Sequence, residues 1–248
     1  DRDGPETALL AATDDRTRLL SISSVQYASG LRLDLERLGA GCRARGIAFC
    51  VDAIQSLGAI RHDAQACAID FLMADAHKWL LGPEGIGVFY CRPEWRQRLT
   101  LHEYGWRMVR HAGDFDRREW EADSSARRFE CGSPNMLGIH GLSASLSLLL
   151  EIGMERVEQR VLARAEYLMS RIEASAELEL VTLRADGRYA GIVSFRHRKL
   201  PNAQLYQRLR QQQVLCALRG GAVRFSPHCH TPMAQLDQAL EYTFDDSV

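Results

Sequence analysis

Residues 47–51 read Ile-Ala-Phe-Cys-Val, apolar at every position, and stop at Asp52. A strand with one wet face alternates apolar and polar residues; an unbroken apolar strand is covered on both faces. That pattern belongs inside a parallel sheet flanked by helices. The neighbouring sequence agrees. Residues 18–25 read as a strand leading into Gly30, and residues 33–45 put Leu35, Leu38 and Cys42 on one helical face before Gly46 stops the helix. A further apolar segment at 69–74 and a strand at 85–91 follow. Strand, helix, strand in this order predicts an α/β fold, a mostly parallel sheet covered by helices.

The second half has a different rhythm. Residues 136–150 and 154–174 read as helices, the second carrying Val157, Val161, Ala165, Leu168 and Ile172 at helical intervals. Short strands are expected at 178–183, 190–196, 214–217 and 222–225, with helices at 202–212 and 232–243. This is the order of an α+β unit. The expected division is 1–140 for a large domain and 141–248 for a small C-terminal one. Between them, residues 100–130 are rich in charged and aromatic residues without periodicity, which predicts a long excursion over a surface or an interface.

Charge narrows the partners. Lys and Arg number 31 against 32 Asp and Glu, so nothing favours nucleic acid or an anionic membrane surface. No apolar run is long enough to span a bilayer. The 7 cysteines include no CxxC pair and read as reduced thiols, so a cytoplasmic setting is expected. His228-Cys229-His230 resembles a metal-ligand cluster, but adjacent residues do not readily close around one tetrahedral ion, and no metal is expected.

Two residues stand out chemically. Asp52 directly follows a strand, where ligand sites of parallel sheets lie. Lys78 follows the next apolar segment, flanked by His77, Trp79, Leu80 and Leu81, surroundings in which an ammonium is costly to desolvate and an amine is freed for Schiff-base chemistry. Taken singly, the first reads as a turn aspartate and the second as a lysine reaching for solvent. Taken together, Val51-Asp52-Ala53-Ile54-Gln55, then His77-Lys78-Trp79, then Gly82-Pro83-Glu84-Gly85-Ile86-Gly87-Val88 form an ordered series. The series resembles the class V aminotransferases, a fold-type I pyridoxal-phosphate family that includes cysteine desulfurases, kynureninase and isopenicillin-N epimerase. The resemblance runs from about residue 21 to about residue 241.

The resemblance implies pyridoxal 5'-phosphate as cofactor and an amino acid as substrate. Lys78 matches the lysine that holds the cofactor as a Schiff base and later carries a proton. Asp52 matches the aspartate paired with the pyridinium nitrogen, which makes the cofactor a strong electron sink. Gln55 matches the glutamine on the phenolic oxygen, and His77 a histidine at the phosphate. Phe129-Glu130-Cys131-Gly132-Ser133-Pro134-Asn135 resembles the segment whose small hydroxyl residue reaches a phosphate, usually in the partner subunit. Gly132 and Ser133 are thus implied cofactor ligands, and a homodimer is implied with them. Arg224 matches the arginine that grips the substrate carboxylate through two parallel hydrogen bonds.

Departures from the pattern matter too. Asp75 stands where desulfurases often carry a small hydroxyl residue, and a carboxylate there would repel a phosphate. Cys229-His230-Thr231 replaces the usual aromatic-Asn-Thr. Desulfurases carry a nucleophilic cysteine on a loop before the arginine; here Cys216 lies in an apolar run, and Cys229 comes after Arg224. That argues against sulfur transfer and leaves transamination, epimerisation and lyase chemistry open. Only 51 residues precede Asp52, without the family's phosphate-binding turn or ring-stacking aromatic, so an N-terminally truncated member is expected. The competing expectation is a degenerate, non-catalytic dimeric module that keeps the fold. A nucleotide-binding loop at 82–87 lacks the required glycine spacing and precedes a strand.

Overall fold

The computed structural model describes residues 4–244. The first sheet has the order β1 (Leu19–Ser23), β2 (Ala48–Asp52), β3 (Phe71–Asp75), β4 (Gly87–Cys91). β1, β2 and β3 run parallel, with Ser23 opposite Asp52 and Asp52 opposite Met73. β4 turns back antiparallel and pairs Asp75 with Gly87. The expected apolar strand is β2, and its first four residues are buried. Helix α1 (Gly4–Ala11) precedes the sheet, and α2 (Leu35–Ala44) packs its Leu35, Leu38 and Cys42 face toward β2. The side chain of Asp34 caps α2 by accepting from the Arg37 N–H at 2.9 Å. Leu38, Phe49, Val51, Ile69 and Leu80 are buried together beneath this sheet.

After β4 comes a single-turn helix, α3 (Pro93–Arg96). The unpatterned stretch that follows is an excursion folded back on itself. Arg110 N–H donates to Glu121 O and Asp123 N–H to Met108 O, at 2.9 and 2.8 Å. Met108 is buried, whereas Phe115 at its tip is exposed. Helix α4 (Met136–Ile152) then leads directly into α5 (Met154–Glu173), so the expected junction at 140 falls inside α4.

The second sheet is antiparallel, in the order β5 (Leu178–Leu180), β6 (Val193–His197), β8 (Ala222–Phe225), β7 (Ala217–Arg219). α5, α6 (Asn202–Gln211) and α7 (Met233–Phe244) cover it, burying Leu168, Ile172, Phe195, Leu205, Val223 and Leu240. One expected strand is displaced. Residues 214–216 are loop, because Gln213 takes a φ of 61° and turns the chain; Leu215 is left 85% exposed, and β7 begins at Ala217.

A third apolar cluster joins the two sheets. Val25, Ile60, Trp79, Leu149, Val161, Ile192 and Cys229 meet there. Trp79 comes from the segment after β3, and Ile192 and Cys229 flank strands of the second sheet. The residue after Lys78 is therefore a structural link between the two layers. No single helix among the described residues is long and apolar enough to cross a membrane.

Candidate active site

The carboxyl ends of β1, β2 and β3 form one edge. Asp52 closes β2 there. Its Oδ1 accepts from the Ile54 N–H at 2.9 Å, and its Oδ2 accepts from the Ser23 hydroxyl at 3.3 Å. Both bonds fix the orientation of the carboxylate through donor groups. Residues 53–57 then make a tight turn: Ser56 N–H and Leu57 N–H both donate to Ala53 O, at 2.9 and 2.8 Å, and Ala53 N–H donates to Met73 O at 2.8 Å. The turn buries the Gln55 side chain.

Gln55 is oriented by Trp79, whose indole N–H donates to Gln55 Oε1 at 3.4 Å. With the oxygen engaged, the amide NH₂ is the end left to face a ligand. Trp79 is itself held twice. Its ring stacks on His228 with centroids 5.4 Å apart, and His228 Nε2 lies 3.0 Å from Trp79 O. The Trp79 carbonyl must accept, so His228 carries its proton on Nε2. Gly58, at φ 93°, passes so close that a Cβ there would lie 2.3 Å from the same carbonyl.

Lys78 sits at the start of this clamped segment. Its backbone carbonyl accepts from Leu81 N–H at 3.1 Å, and Leu81 takes a φ of 57°, a left-handed conformation strained for a leucine. In the sequence of this tight turn Lys78 stands between the buried Ala76 and Trp79. The side chain is half-buried, and its ammonium has no hydrogen bond or ion pair among the described residues.

Arg224 projects from β8 toward the loop after β1, donating from Nη1 to Tyr27 O at 2.7 Å. Its Nε is buried without a partner. Burial, with the charge of Arg219, pulls its pKa down, though a guanidinium stays protonated in water-accessible ranges. Two neighbours act in parallel: the Ser194 hydroxyl donates to Ala28 O, and the Thr182 hydroxyl donates to Ser29 O at 2.7 Å. Gly30 completes this loop at φ 76°, where a Cβ would lie 2.5 Å from Ile192 O.

Asp52, Gln55 and Lys78 thus share one sheet edge, with Trp79 joining the last two. The other implied ligands stand apart from them. His77 is exposed, and Gly132 and Ser133 are exposed in the segment before α4. That segment is tied to the loop after Lys78, since Asn135 Nδ2 donates to Gly85 O at 3.2 Å while its Oδ1 caps α4 at Gly138 N–H. Asp75 is exposed at the end of β3, on the strand face opposite the buried Leu72 and Ala74.

Of the cysteines expected not to be nucleophiles, Cys216 lies not in a strand but in the loop just before β7. Cys216 is half-buried and Cys229 is buried, and burial raises both thiol pKa values. Sequence reading overlooked Ser23, Trp79 and His228 as supporting groups. The pairing of Ser23 with Asp52 is a register effect, invisible before the strands are aligned. A cleft of about 660 Å³ lies between the two units, lined by Ser24, Arg32, Asp34, His62, Glu158 and Arg188 among others; Asp52, Gln55 and Lys78 do not line it.

The family model for class-V aminotransferases matches residues 4–239. A cysteine desulfurase of Yersinia pestis (strain Pestoides F) is 30% identical over 194 residues, which is 76% of this chain and 45% of that protein. The chain therefore spans less than half the length of that relative. The apo cysteine desulfurase from Thermococcus onnurineus NA1 has a TM-score of 0.82 at 25% identity, covering 97% of this chain and 61% of the other. The cystine C-S lyase C-DES, in complex with its product cysteine persulfide, has a TM-score of 0.86 at 22% identity, covering 96% and 64%. A C-DES mutant with glycine covalently linked to the PLP cofactor has a TM-score of 0.85, also at 22% identity. At that identity the likeness is one of fold.

Proposed function

Because the chain belongs to the class-V aminotransferase family, a pyridoxal-phosphate family of fold type I, we propose that it acts on an amino acid with pyridoxal 5'-phosphate held by Lys78 as a Schiff base. The observation that carries this reading is the unpartnered, half-buried Lys78 amine on the same edge as a fixed Asp52 carboxylate and an oriented Gln55 amide. When bound, the cofactor supplies an electron sink at the substrate α-carbon. The donor set suits it. Asp52, oriented by the Ser23 hydroxyl and the Ile54 N–H, would hold a proton on the ring nitrogen. The free amide end of Gln55 donates to the phenolic oxygen. Lys78, once displaced by substrate, moves a proton at the α-carbon. Arg224 binds the substrate carboxylate through the guanidinium edge that Tyr27 O leaves unused. His77, Gly132 and Ser133 are proposed at the phosphate; the last two, being exposed, serve the partner's site in a homodimer.

The reaction is narrowed from two sides. The relatives named above as cysteine desulfurases favour lyase-type chemistry. Burial raises the thiol pKa of the half-buried loop residue Cys216 and of the buried Cys229, which disfavours the reactive thiolate that a desulfurase needs. We therefore favour a lyase-type cleavage without a cysteine acceptor, with transamination and epimerisation as the other reactions of the same site.

A second reading, a non-catalytic dimeric module that retains the fold, draws on one observation: the 660 Å³ cleft excludes Lys78. Titration with the cofactor, borohydride reduction and peptide mapping separates the two. A visible band and a reduced adduct on Lys78, absent in Lys78→Ala, support the enzyme. A folded chain that yields no adduct supports the module.

A further inference from the structure

His62 is absorbed by none of the roles above. It lies at the rim of the cleft, largely covered, and its Nε2 is 2.8 Å from the Ser56 hydroxyl. Ser56 is fully buried, and its oxygen lies 2.5 Å from that of Ser24, itself buried. Ser24 closes the chain on the site: its hydroxyl and its N–H both reach Asp52 O, at 3.2 and 2.9 Å. Ser56 also reaches Ala53 O, at 3.2 Å. A continuous line of hydrogen bonds therefore runs from His62, through two enclosed hydroxyls, to the backbone on either side of the Asp52–Ala53 bond.

Each link has a definite direction. Desolvation, with the nearby Arg32 charge, lowers the His62 pKa to about 4, so the ring is neutral. A neutral ring protonated on Nε2 donates to the Ser56 oxygen, Ser56 donates to Ser24, and Ser24 donates to Asp52 O, so each hydroxyl spends its one proton once. Buried hydroxyl oxygens without a partner are costly, so removing the terminal donor forces the two hydroxyls to re-aim among the backbone carbonyls they brace.

We propose that His62 is a positioning residue: through Ser56 and Ser24 it fixes the 52–56 turn, and with it the orientation of Asp52 and Gln55. The inference rests on the reading of those two residues as cofactor ligands. His62 itself touches neither cofactor nor substrate. It sets how rigidly the carboxylate and the amide are held.

The test uses the whole chain and two readouts. The first, amide hydrogen exchange without cofactor, follows Ile54, Ser56 and Leu57, whose N–H groups bond within the turn. His62→Phe keeps an aromatic ring and drops the Nε2–H donor, and is expected to speed exchange at these amides about fivefold while the amides of α5 and β6 are unchanged. His62→Gln, whose amide NH₂ can donate to Ser56, restores most of the protection. Ser56→Ala reproduces the loss if the Phe variant folds poorly. The second readout is cofactor titration, where His62→Phe shifts the visible band and weakens affinity about fivefold yet still gives the reduced Lys78 adduct. Unchanged exchange at 54–57, or an equal rise throughout the chain, overturns the proposal. A wild-type chain that takes up no cofactor refutes the ligand reading instead, and the exchange data still decide whether His62 holds the turn.

Discussion

The titration of His62 has a consequence for the folded state as a whole. In an unfolded chain the ring titrates near 6.5, and in the fold near 4. Between those values the unfolded chain binds more protons, so stability falls as pH falls through that window and is fully present above it. The loss amounts to at most about 3 kcal/mol. Denaturant melts at pH 7 and pH 4.5 are expected to differ by most of this amount in the wild type and by much less in His62→Phe. Equal pH dependence in both would remove His62 as the cause. Leu81 offers a second check. Its left-handed backbone suits glycine, so Leu81→Gly relieves strain of about 1 kcal/mol while giving up part of an apolar contact. Thermal melting is expected to change little, whereas Leu81→Val, β-branched at positive φ, is expected to lower the melting temperature clearly. At this scale the sequence placed Asp52 and Lys78 after apolar segments, and the structure sets Asp52 at the carboxyl end of β2 and Lys78 beyond that of β3. The sequence was silent about His62, whose meaning depends on a turn that brings Ser56 and Ser24 together from different segments.

Elements were legible where burial alone dictates them. β2 announces itself because both its faces are covered, and α5 because its stripe of Val157, Val161, Ala165, Leu168 and Ile172 is buried as the spacing predicts. Truncating β2 at Phe49, fully buried, is expected to cost about 3–5 kcal/mol by denaturant unfolding. α1 went unrecognised for a physical reason: it lacks an apolar stripe and is anchored by charge. Its Glu6 is 1% exposed and accepts from Asp34 N–H at 2.8 Å and Arg188 Nη1 at 2.7 Å. Burial pushes the Glu6 pKa up, but the Arg188 and Asp34 hydrogen bonds outweigh it, and the carboxyl sits below its usual range. Arg188 belongs to the segment between β5 and β6, so no local pattern could reveal the pairing. Arg188→Met strands the buried carboxylate and is expected to cost about 3 kcal/mol; the companion Glu6→Gln change in the same background should recover much of it. The displacement of β7 has a similar origin. Apolar residues 214–216 read as a strand, but a turn at Gln213 leaves Leu215 in solvent.

For the whole molecule, the α/β class and the C-terminal α+β sheet were readable from the order of elements. How the two sheets are joined was not. The cluster around Trp79 and Ile192 couples them, so a change there should be felt in both. Trp79→Ala is expected to lower stability by about 3–5 kcal/mol and to release Gln55 together, read as a melt and as cofactor affinity. The proposed homodimer is checked by light scattering: twice the chain mass supports the assignment of Gly132 and Ser133 to a neighbouring site, and a monomer at high concentration removes it.

The loop after β1 is gripped by the second sheet through three successive main-chain carbonyls, those of Tyr27, Ala28 and Ser29. Every residue type carries that oxygen. The identities at 27 and 28 are therefore free to drift, and that at 29 carries only local hydroxyl bonds with Gln26 and Leu31, while Arg224, Ser194 and Thr182, which supply the donors, and Gly30, which supplies the bend, are fixed. Random libraries across 27–29 should return mostly folded chains with altered loop chemistry, so this is the stretch at which the protein can be retuned without being rebuilt.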